Sequence, residues 1–280
     1  MRSRPAARSR GNLMIVVGGM LVAIVVVTAV VSWFWTPYNP TAIDASGRLA
    51  TMSWAHPLGA DRFGHDVLSQ IMAGARITLL VGIVAVAVAA VIGVPLGALA
   101  ALRGGWLGEG VMRANDVVFA FPAVLMAVIL AAAYGASTLT AMLAIGIANV
   151  PVFARLTRAE TRRVLSSEYV LAARASGRRS FAVFVRHALP NIAPVLVVQG
   201  TVLFALAILA EAALSYLGLG TPAPTPSWGR SLQESQTFFA QRPTLALFPG
   251  LAIAVSVLGF NLLGDGLRDA LDPKLRVVRA

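Results

Sequence analysis

Four side chains in one polar segment are of types that bind metal ions. His56 and His65 lie nine residues apart, with Asp61 and Asp66 beside them. Imidazole nitrogens and carboxylate oxygens are common zinc ligands. Two histidines at this spacing on a loop give only weak support for a ligand set, so no metal site is predicted.

The sequence lacks the residues that nucleophilic catalysis and nucleotide binding by a P-loop require. An intramembrane serine protease needs a serine and a histidine facing each other within the membrane. His56, His65 and His187 all lie outside the long apolar runs, and Ser137 lies in a short polar break. The chain has no cysteine and no Gly-x-x-x-x-Gly-Lys-Ser/Thr loop for a nucleotide phosphate. We therefore predict no catalysis and no cofactor bound by this chain.

The most densely charged stretch runs from Arg155 to Asn191 and suits polar recognition. It holds only two acids, Glu160 and Glu168, against eight arginines, at positions 155, 158, 162, 163, 174, 178, 179 and 186. Such a loop must face water, whereas the apolar runs on either side of it must lie in lipid. The pattern predicts a surface that a membrane protein presents to a soluble partner.

The composition places the elements around this loop in a membrane. Hydrophobic residues make up 58% of the 280 residues and charged residues 12%, whereas soluble domains are near 25% charged. About 20 apolar residues cross a bilayer as a helix. The net charge of +11 then reflects topology and contact with anionic lipid, and nucleic acid is not a predicted partner. The uncharged runs are 13–35, 77–102, 117–154 and 244–264.

Six membrane-spanning helices account for these runs. The run 117–154 is too long for one span, and its small, polar residues Tyr134–Thr138 predict a tight hairpin between two. A further span fits 194–217. Helices satisfy their own backbone hydrogen bonds in lipid, so we predict an all-α membrane protein. The predicted spans are 13–35, 77–101, 117–134, 138–154, 194–217 and 244–264.

The first apolar run is predicted to be a retained anchor. A signal peptide has an apolar core of about 7–15 residues. This run is longer and ends in Trp33-Phe34-Trp35, which is typical of an interfacial aromatic belt. The predicted segments are a basic tail (1–12), a first span (13–35), an external loop (36–76), a core (77–265) that includes the charged loop (155–193), and a second tail (266–280).

The distribution of Lys and Arg predicts the orientation. If the N-terminus is inside, the inner segments hold 18 of these residues and the outer segments hold 5. Cytoplasmic loops carry the excess of positive charge in membrane proteins. Both termini and the charged loop are therefore predicted to be cytoplasmic.

The charged loop itself is predicted to contain two short helices. Glu168–Ala175 is rich in helix formers and is followed by Gly177, a natural C-terminal stop. Phe181–Leu189 can form the second helix, with Pro190 and Pro194 separating it from the next span. Two such helices would form a compact knob.

Four sequence blocks resemble a known family. Ala172–Gly177, with Leu189-Pro190 following at a distance of twelve residues, resembles the EAA loop of ABC importer membrane subunits. From about residue 13 to 273, the chain is similar to the C-type permease subunit of dipeptide, oligopeptide and nickel importers. The other three blocks are His56–Asp66, Leu217–Gly229 and Phe260–Pro273.

This resemblance implies a type I importer permease fold with cytoplasmic coupling helices, in the bacterial cytoplasmic membrane. It implies a B-type permease partner, two ABC ATPase subunits that bind ATP and magnesium, and an extracytoplasmic peptide-binding protein. Di- and oligopeptides are the expected substrates, with nickel or another small solute as the alternative. A secondary transporter, which would work without ATPases, is a more distant alternative.

The resemblance also assigns expected site residues. Two positions depart from the general EAA pattern, since Leu171 stands where it has glutamate and His187 stands where it is apolar. The block around His56 and His65 is a signature of the family, which favours a structural role for that loop. The expected ATPase-coupling residues are Glu168, Tyr169, Ala172, Ala173, Gly177, Arg186, His187, Leu189 and Pro190.

Polar residues within the spans are candidates for the pore or its gate. Glu211 lies deep in an apolar run, and intramembrane acids face a bundle interior or water. A gating role and a structural hydrogen bond both remain open for it. Gln199, Asn149 and Asn261 could line the path, or they could form hydrogen bonds between helices.

Overall fold

The computed structural model describes residues 5–168, 170 and 180–271, with side chains from residue 11 onward. Over these residues the chain is helical, and its one β pairing is an isolated bridge between Ala60 and Asp66. The prediction of an all-α protein is confirmed. The helices are α1 (Pro5–Phe34), α2 (Val67–Arg103), α3 (Gly105–Ala120), α4 (Ala123–Tyr134), α5 (Thr138–Leu165), α6 (Ser180–Val183), α7 (Leu189–Tyr216), α8 (Trp228–Ser235) and α9 (Thr244–Leu271).

The described helices suit a membrane in length and composition. Five are long and apolar enough to cross one, and there are six if the bent pair α3–α4 counts as one span. Within the bundle α2 packs along α5, and α1 packs along α9. The bundle is therefore a multi-pass membrane domain.

Glycine permits the close contact between α2 and α5. A Cβ at Gly93 would lie 2.6 Å from the Cβ of Phe153, and one at Gly97 would lie 2.8 Å from the Cβ of Thr157. Small residues allow helix backbones to approach closely in membranes, where van der Waals packing drives association. These two glycines therefore set the distance between the two helices.

The third predicted span, 117–134, differs from a single helix. The chain breaks at Phe121-Pro122, and α3 and α4 meet at a bend of 83°. Phe121 has an extended backbone (φ −86°, ψ 119°), because the ring of a following proline disfavours the α region. As a result α4 has only 12 residues. Residues 105–116, which lie between two predicted spans, are helical as part of α3.

The predicted separate helix at Phe181–Leu189 is also corrected. Helix α6 continues through a π-helical turn, Phe184–Ala188, directly into α7. The N–H of Leu189 donates to the carbonyl oxygen of Phe184, which widens this turn. Pro190 is the second residue of α7 and follows the π-helical turn directly, so the helix passes through it without a break. The prolines therefore do not separate this segment from the span.

Local capping sets the remaining helix ends. Helix α2 begins at Val67, ten residues before its uncharged run, because the Asp66 carboxylate accepts the backbone N–H of Ser69 at 2.8 Å. The predicted hairpin near residues 134–138 is present. Gly135 has a φ of 87°, and Ser137 caps α5 through a capping box.

The bundle has two ends that differ in composition. We call the end where α5 stops and α7 begins the arginine face. The opposite end, which carries residues 35–66 and 217–243, is the proline face. Helix α7 has 28 residues and so extends about 42 Å between them.

Candidate functional site

The structure describes five of the predicted coupling residues, and these five lie at the arginine face. Tyr169, Ala172, Ala173 and Gly177 lie outside the described residues. Of the five, three are exposed and two are half-buried. The exposed residues are Glu168, Arg186 and Pro190, and the half-buried ones are His187 and Leu189.

A buried apolar cluster lies beneath this loop. Val170 is fully buried and belongs to a cluster with the end of α5, the π-helical turn, the start of α7 and Ala98 of α2. The other members of this apolar cluster are Val164, Leu165, Val183, Phe184, Ala188 and Ile192. The cluster therefore joins the segments on both sides of the loop to α2, α5 and α7. We expect a displacement of these segments to be transmitted to all three helices.

The first arginines of the charged stretch contact α3. Arg155 Nη2 lies 2.9 Å from Asp116 Oδ1, and its guanidinium carbon lies 4.1 Å from the ring centroid of Phe119. Arg158 forms an ion pair with Glu109. These two arginines therefore join α5 to α3. Sequence reasoning missed this contact because it assigned no helix to residues 105–116, which lie between two predicted spans.

At the proline face a buried carboxyl group gathers three hydroxyls. Glu211 is 2% exposed. Its Oε1 accepts hydrogen bonds from Ser215 Oγ at 2.6 Å, Ser227 Oγ at 2.8 Å and Thr221 Oγ1 at 3.3 Å. We call these four residues the Glu211 cluster. Structural hydrogen bonding, one of the two roles that the sequence left open for Glu211, is thus observed. A gating role stays a prediction.

Helix α8 is held against two spans beside this cluster. The indole Nε1 of Trp228 donates to the backbone oxygen of Ile71 in α2 at 2.9 Å. Gly229 lies against the backbone of Ala212 in α7, where any Cβ would collide with it. The short helix is therefore positioned by both α2 and α7.

The histidines of the first loop each pair with a different carboxylate. His56 Nδ1 lies 3.0 Å from Asp66 Oδ1, and His65 Nδ1 lies 2.7 Å from Asp61 Oδ2. Asp66 also accepts the hydroxyl of Ser69 at 2.7 Å. Within the described ranges, no three His, Asp or Glu side chains form a group that could hold a metal ion. The contacts are those of a structural loop.

The start of this loop is held by a tight turn. The Ser46 hydroxyl and backbone N–H both donate to the carboxylate of Asp44 and hold its pKa below the ordinary value. Gly64 has a φ of 84°, and a Cβ there would lie 2.7 Å from the Asp44 carbonyl carbon. Glycine is thus required where the two halves of the loop meet.

A cavity opens between this loop and α8. Its volume is about 190 Å³, and the proline segment 223–226 forms one wall. Arg230 donates to Glu234 Oε1 through Nε at 2.9 Å and Nη2 at 2.8 Å. Both of these side chains and His65 line the cavity. The proline face thus presents a concave, largely apolar surface that also carries charges of both signs.

The other predicted pore residues lie on three different helices. The Asn149 side-chain amide donates to the Ile145 carbonyl oxygen of its own helix at 2.8 Å. Gln199 is half-buried in α7, and Asn261 is exposed on α9. A pore role for each stays a prediction.

Comparison with known proteins agrees with this architecture. Residues 93–277 match the family described as "Binding-protein-dependent transport system inner membrane component". The chain is 40% identical to the dipeptide transport system permease protein DppC of Alkalihalophilus pseudofirmus, over 95% of this chain and 87% of that protein. It is also 40% identical to the glutathione transport system permease protein GsiD of Pectobacterium atrosepticum, over 93% and 87% of the two chains.

The fold is shared with a solved transporter. An inward-facing structure of the MetNI methionine ABC transporter superposes with a TM-score of 0.58 at 17% identity, covering 72% of this chain and 96% of that one. The expected type I importer permease fold is thereby confirmed. The chain belongs to the family of binding-protein-dependent transport system inner membrane components, the permease subunits of ABC importers.

Proposed function

We propose that this chain is one of two permease subunits of an ATP-driven importer of short peptides. The observation that carries the proposal is its 40% identity to a dipeptide permease over 95% of its length. The glutathione permease, which is equally similar to this chain, is named for the transport of a small peptide. The common chemistry is a short chain with amino, amide and carboxylate groups.

The ATPases would dock at the arginine face. Glu168, Arg186 and Pro190 are exposed there, and the apolar cluster joins both ends of the loop to α2, α5 and α7. Tyr169, Ala172, Ala173 and Gly177 complete the proposed contact on the strength of the EAA resemblance. ATP and magnesium would bind to the partner subunits and not to this chain.

The arginine face would lie in the cytoplasm with both termini. The excess of Lys and Arg on the segments at this end supports that orientation. The proline face would then be extracytoplasmic, where a substrate receptor delivers the peptide. The system would reside in the bacterial cytoplasmic membrane, with a B-type permease supplying the other half of the pore.

Transport would follow from preferential binding to one conformation. A ligand shifts an equilibrium only by the difference between its affinities for the two states. ATP binding would favour the closed ATPase dimer and so the outward-open permease pair, and hydrolysis would reverse this. The permease contributes the path and the mechanical linkage, while the bond cleavage occurs elsewhere.

The test is ATP turnover by the purified complex of this chain, its B-type partner and both ATPases. A receptor loaded with a dipeptide or glutathione is expected to raise the rate several-fold above the empty receptor, and a receptor incubated with Ni²⁺ is not. Stimulation by Ni²⁺ alone, or no stimulation by any loaded receptor, would overturn the peptide assignment.

A further inference from the structure

We propose that Glu211 is a positioning residue for receptor docking. Through its three hydroxyl partners it holds the segment from Leu217 to Ser227, and with it α8, in the arrangement that the receptor meets. This inference rests on the proposed function, because the receptor is a partner of that importer. It assigns a role to a buried acid at the proline face, at the opposite end of the bundle from the proposed ATPase contact.

The contacts of the carboxyl group support a fastening role. All three hydroxyl donors converge on one oxygen, Oε1. A buried polar group without hydrogen bonds is costly, so these contacts strongly favour one arrangement of the segment. The donors come from three places in the chain. Ser215 lies near the end of α7, Thr221 precedes the proline segment, and Ser227 is the residue before α8.

The cluster reaches a further helix through Thr221. The backbone N–H of Thr221 donates to Ser215 Oγ at 2.9 Å, and the Thr138 hydroxyl donates to Thr221 Oγ1 at 3.2 Å. Thr138 is the first residue of α5. The turn that precedes the proline segment is therefore bound to α5 and α7 through side-chain hydroxyls.

The segment held in this way shapes the surface at the proline face. Residues 223–227 form one wall of the cavity, and Arg230 and Glu234 of α8 form another. A concave surface that combines prolines and an aromatic ring with charges of both signs suits a folded protein partner more than lipid. Since the ATPases would occupy the opposite end, the receptor on which this family depends is the partner that meets this face.

Receptor-stimulated ATP turnover can separate docking from general stability. We compare Glu211→Ala, Glu211→Gln and Ser227→Ala in the complete complex, titrating peptide-loaded receptor. Ser256→Ala is the matched control, because that hydroxyl is also fully buried but donates only to Ala252 of its own helix, at 2.8 Å. The yield of assembled complex is measured for every variant.

Glu211→Ala and Ser227→Ala are expected to raise the receptor concentration for half-maximal stimulation about tenfold, the equivalent of about 1.4 kcal/mol. The rate at saturating receptor should stay within about twofold, because the loss is one of affinity. Glu211→Gln keeps an acceptor oxygen and should shift the midpoint by about threefold or less. Ser256→Ala should match the wild type.

Two results would overturn the inference. One is an unchanged midpoint in both Glu211→Ala and Ser227→Ala. The other is a fall in complex yield and maximal rate with no change in midpoint, as a purely structural role requires. If Glu211→Ala does not assemble, Ser227→Ala decides. If the loaded receptor does not stimulate ATP turnover by the wild-type complex, that result would instead contradict the proposed function.

Discussion

The indole N–H of Trp228 donates a hydrogen bond of 2.9 Å to the backbone carbonyl oxygen of Ile71, which lies 157 residues earlier in the chain. Trp228 is 3% exposed and belongs to a buried cluster with residues of α1, α2, α7 and α9. One side chain of a short helix thus joins the proline face to the centre of the bundle.

Replacing this donor should destabilise the protein. Trp228→Phe keeps an aromatic ring but leaves the Ile71 carbonyl without its indole partner, which costs about 1–3 kcal/mol for a buried group. We expect a lower midpoint of thermal unfolding for the purified complex. Trp106→Phe, at a tryptophan that is 87% exposed, should leave the midpoint unchanged. Equal midpoints for the two variants would show that the hydrogen bond contributes nothing.

The apolar cluster at the arginine face should transmit motion from the coupling loop. Val170→Ala removes two methyl groups beneath the loop, at a cost of roughly 1–3 kcal/mol. We expect the amount of peptide imported per ATP hydrolysed to fall, while the complex still assembles. The control is Val16→Ala, the same substitution at a valine of α1 that is 66% exposed. An unchanged ratio for Val170→Ala would argue against coupling through this cluster.

The ion pair between Arg158 and Glu109 should respond to charge reversal. Glu109→Arg places two like charges together and should separate α3 from α5, which lowers peptide uptake. Glu109 is 60% exposed and Arg158 is 15% exposed, so the loss of uptake should be modest, because water and salt screen an exposed ion pair. The double variant Glu109→Arg with Arg158→Glu should recover uptake. Failure of the double variant to exceed the single one would contradict a direct pairing.

The absence of cysteine makes the orientation easy to measure. A single cysteine replacing the exposed Trp54 at the proline face should react with a membrane-impermeant maleimide in intact cells. One replacing the exposed Ser166 at the arginine face should react only after the membrane is permeabilised. The reverse pattern would place the charged loop outside and exclude docking of cytoplasmic ATPases.

Features governed by long uncharged runs and local turn chemistry were predictable from the sequence. The helical class, the multi-pass arrangement and the hairpin at Gly135 follow from these. The length of α2 could not be predicted from the sequence, because the first ten residues of this helix contain polar groups and Arg76. That arginine is accommodated by a contact with another helix, as its Nε donates to Ser32 Oγ of α1 at 2.6 Å.

Contacts between distant segments were the part that the sequence could not provide. The bend at Phe121-Pro122 had a local signal in the proline, but the ion pairs that join helix α3 to α5 come from Arg155 and Arg158, which lie about 40 to 50 residues later. Glu211 was recognisable as an unusual intramembrane acid. Its partner Ser227 lies sixteen residues away, beyond a turn whose geometry depends on the packing of α8.

Uptake of a labelled dipeptide into proteoliposomes tests the central claim most directly. Vesicles are prepared with this chain alone and with the full complex of both permeases and both ATPases, each supplied with loaded receptor and ATP. We predict accumulation only with the full complex, and its loss when ATP is replaced by a non-hydrolysable analogue. Accumulation driven by this chain alone, without ATPases, would contradict the account.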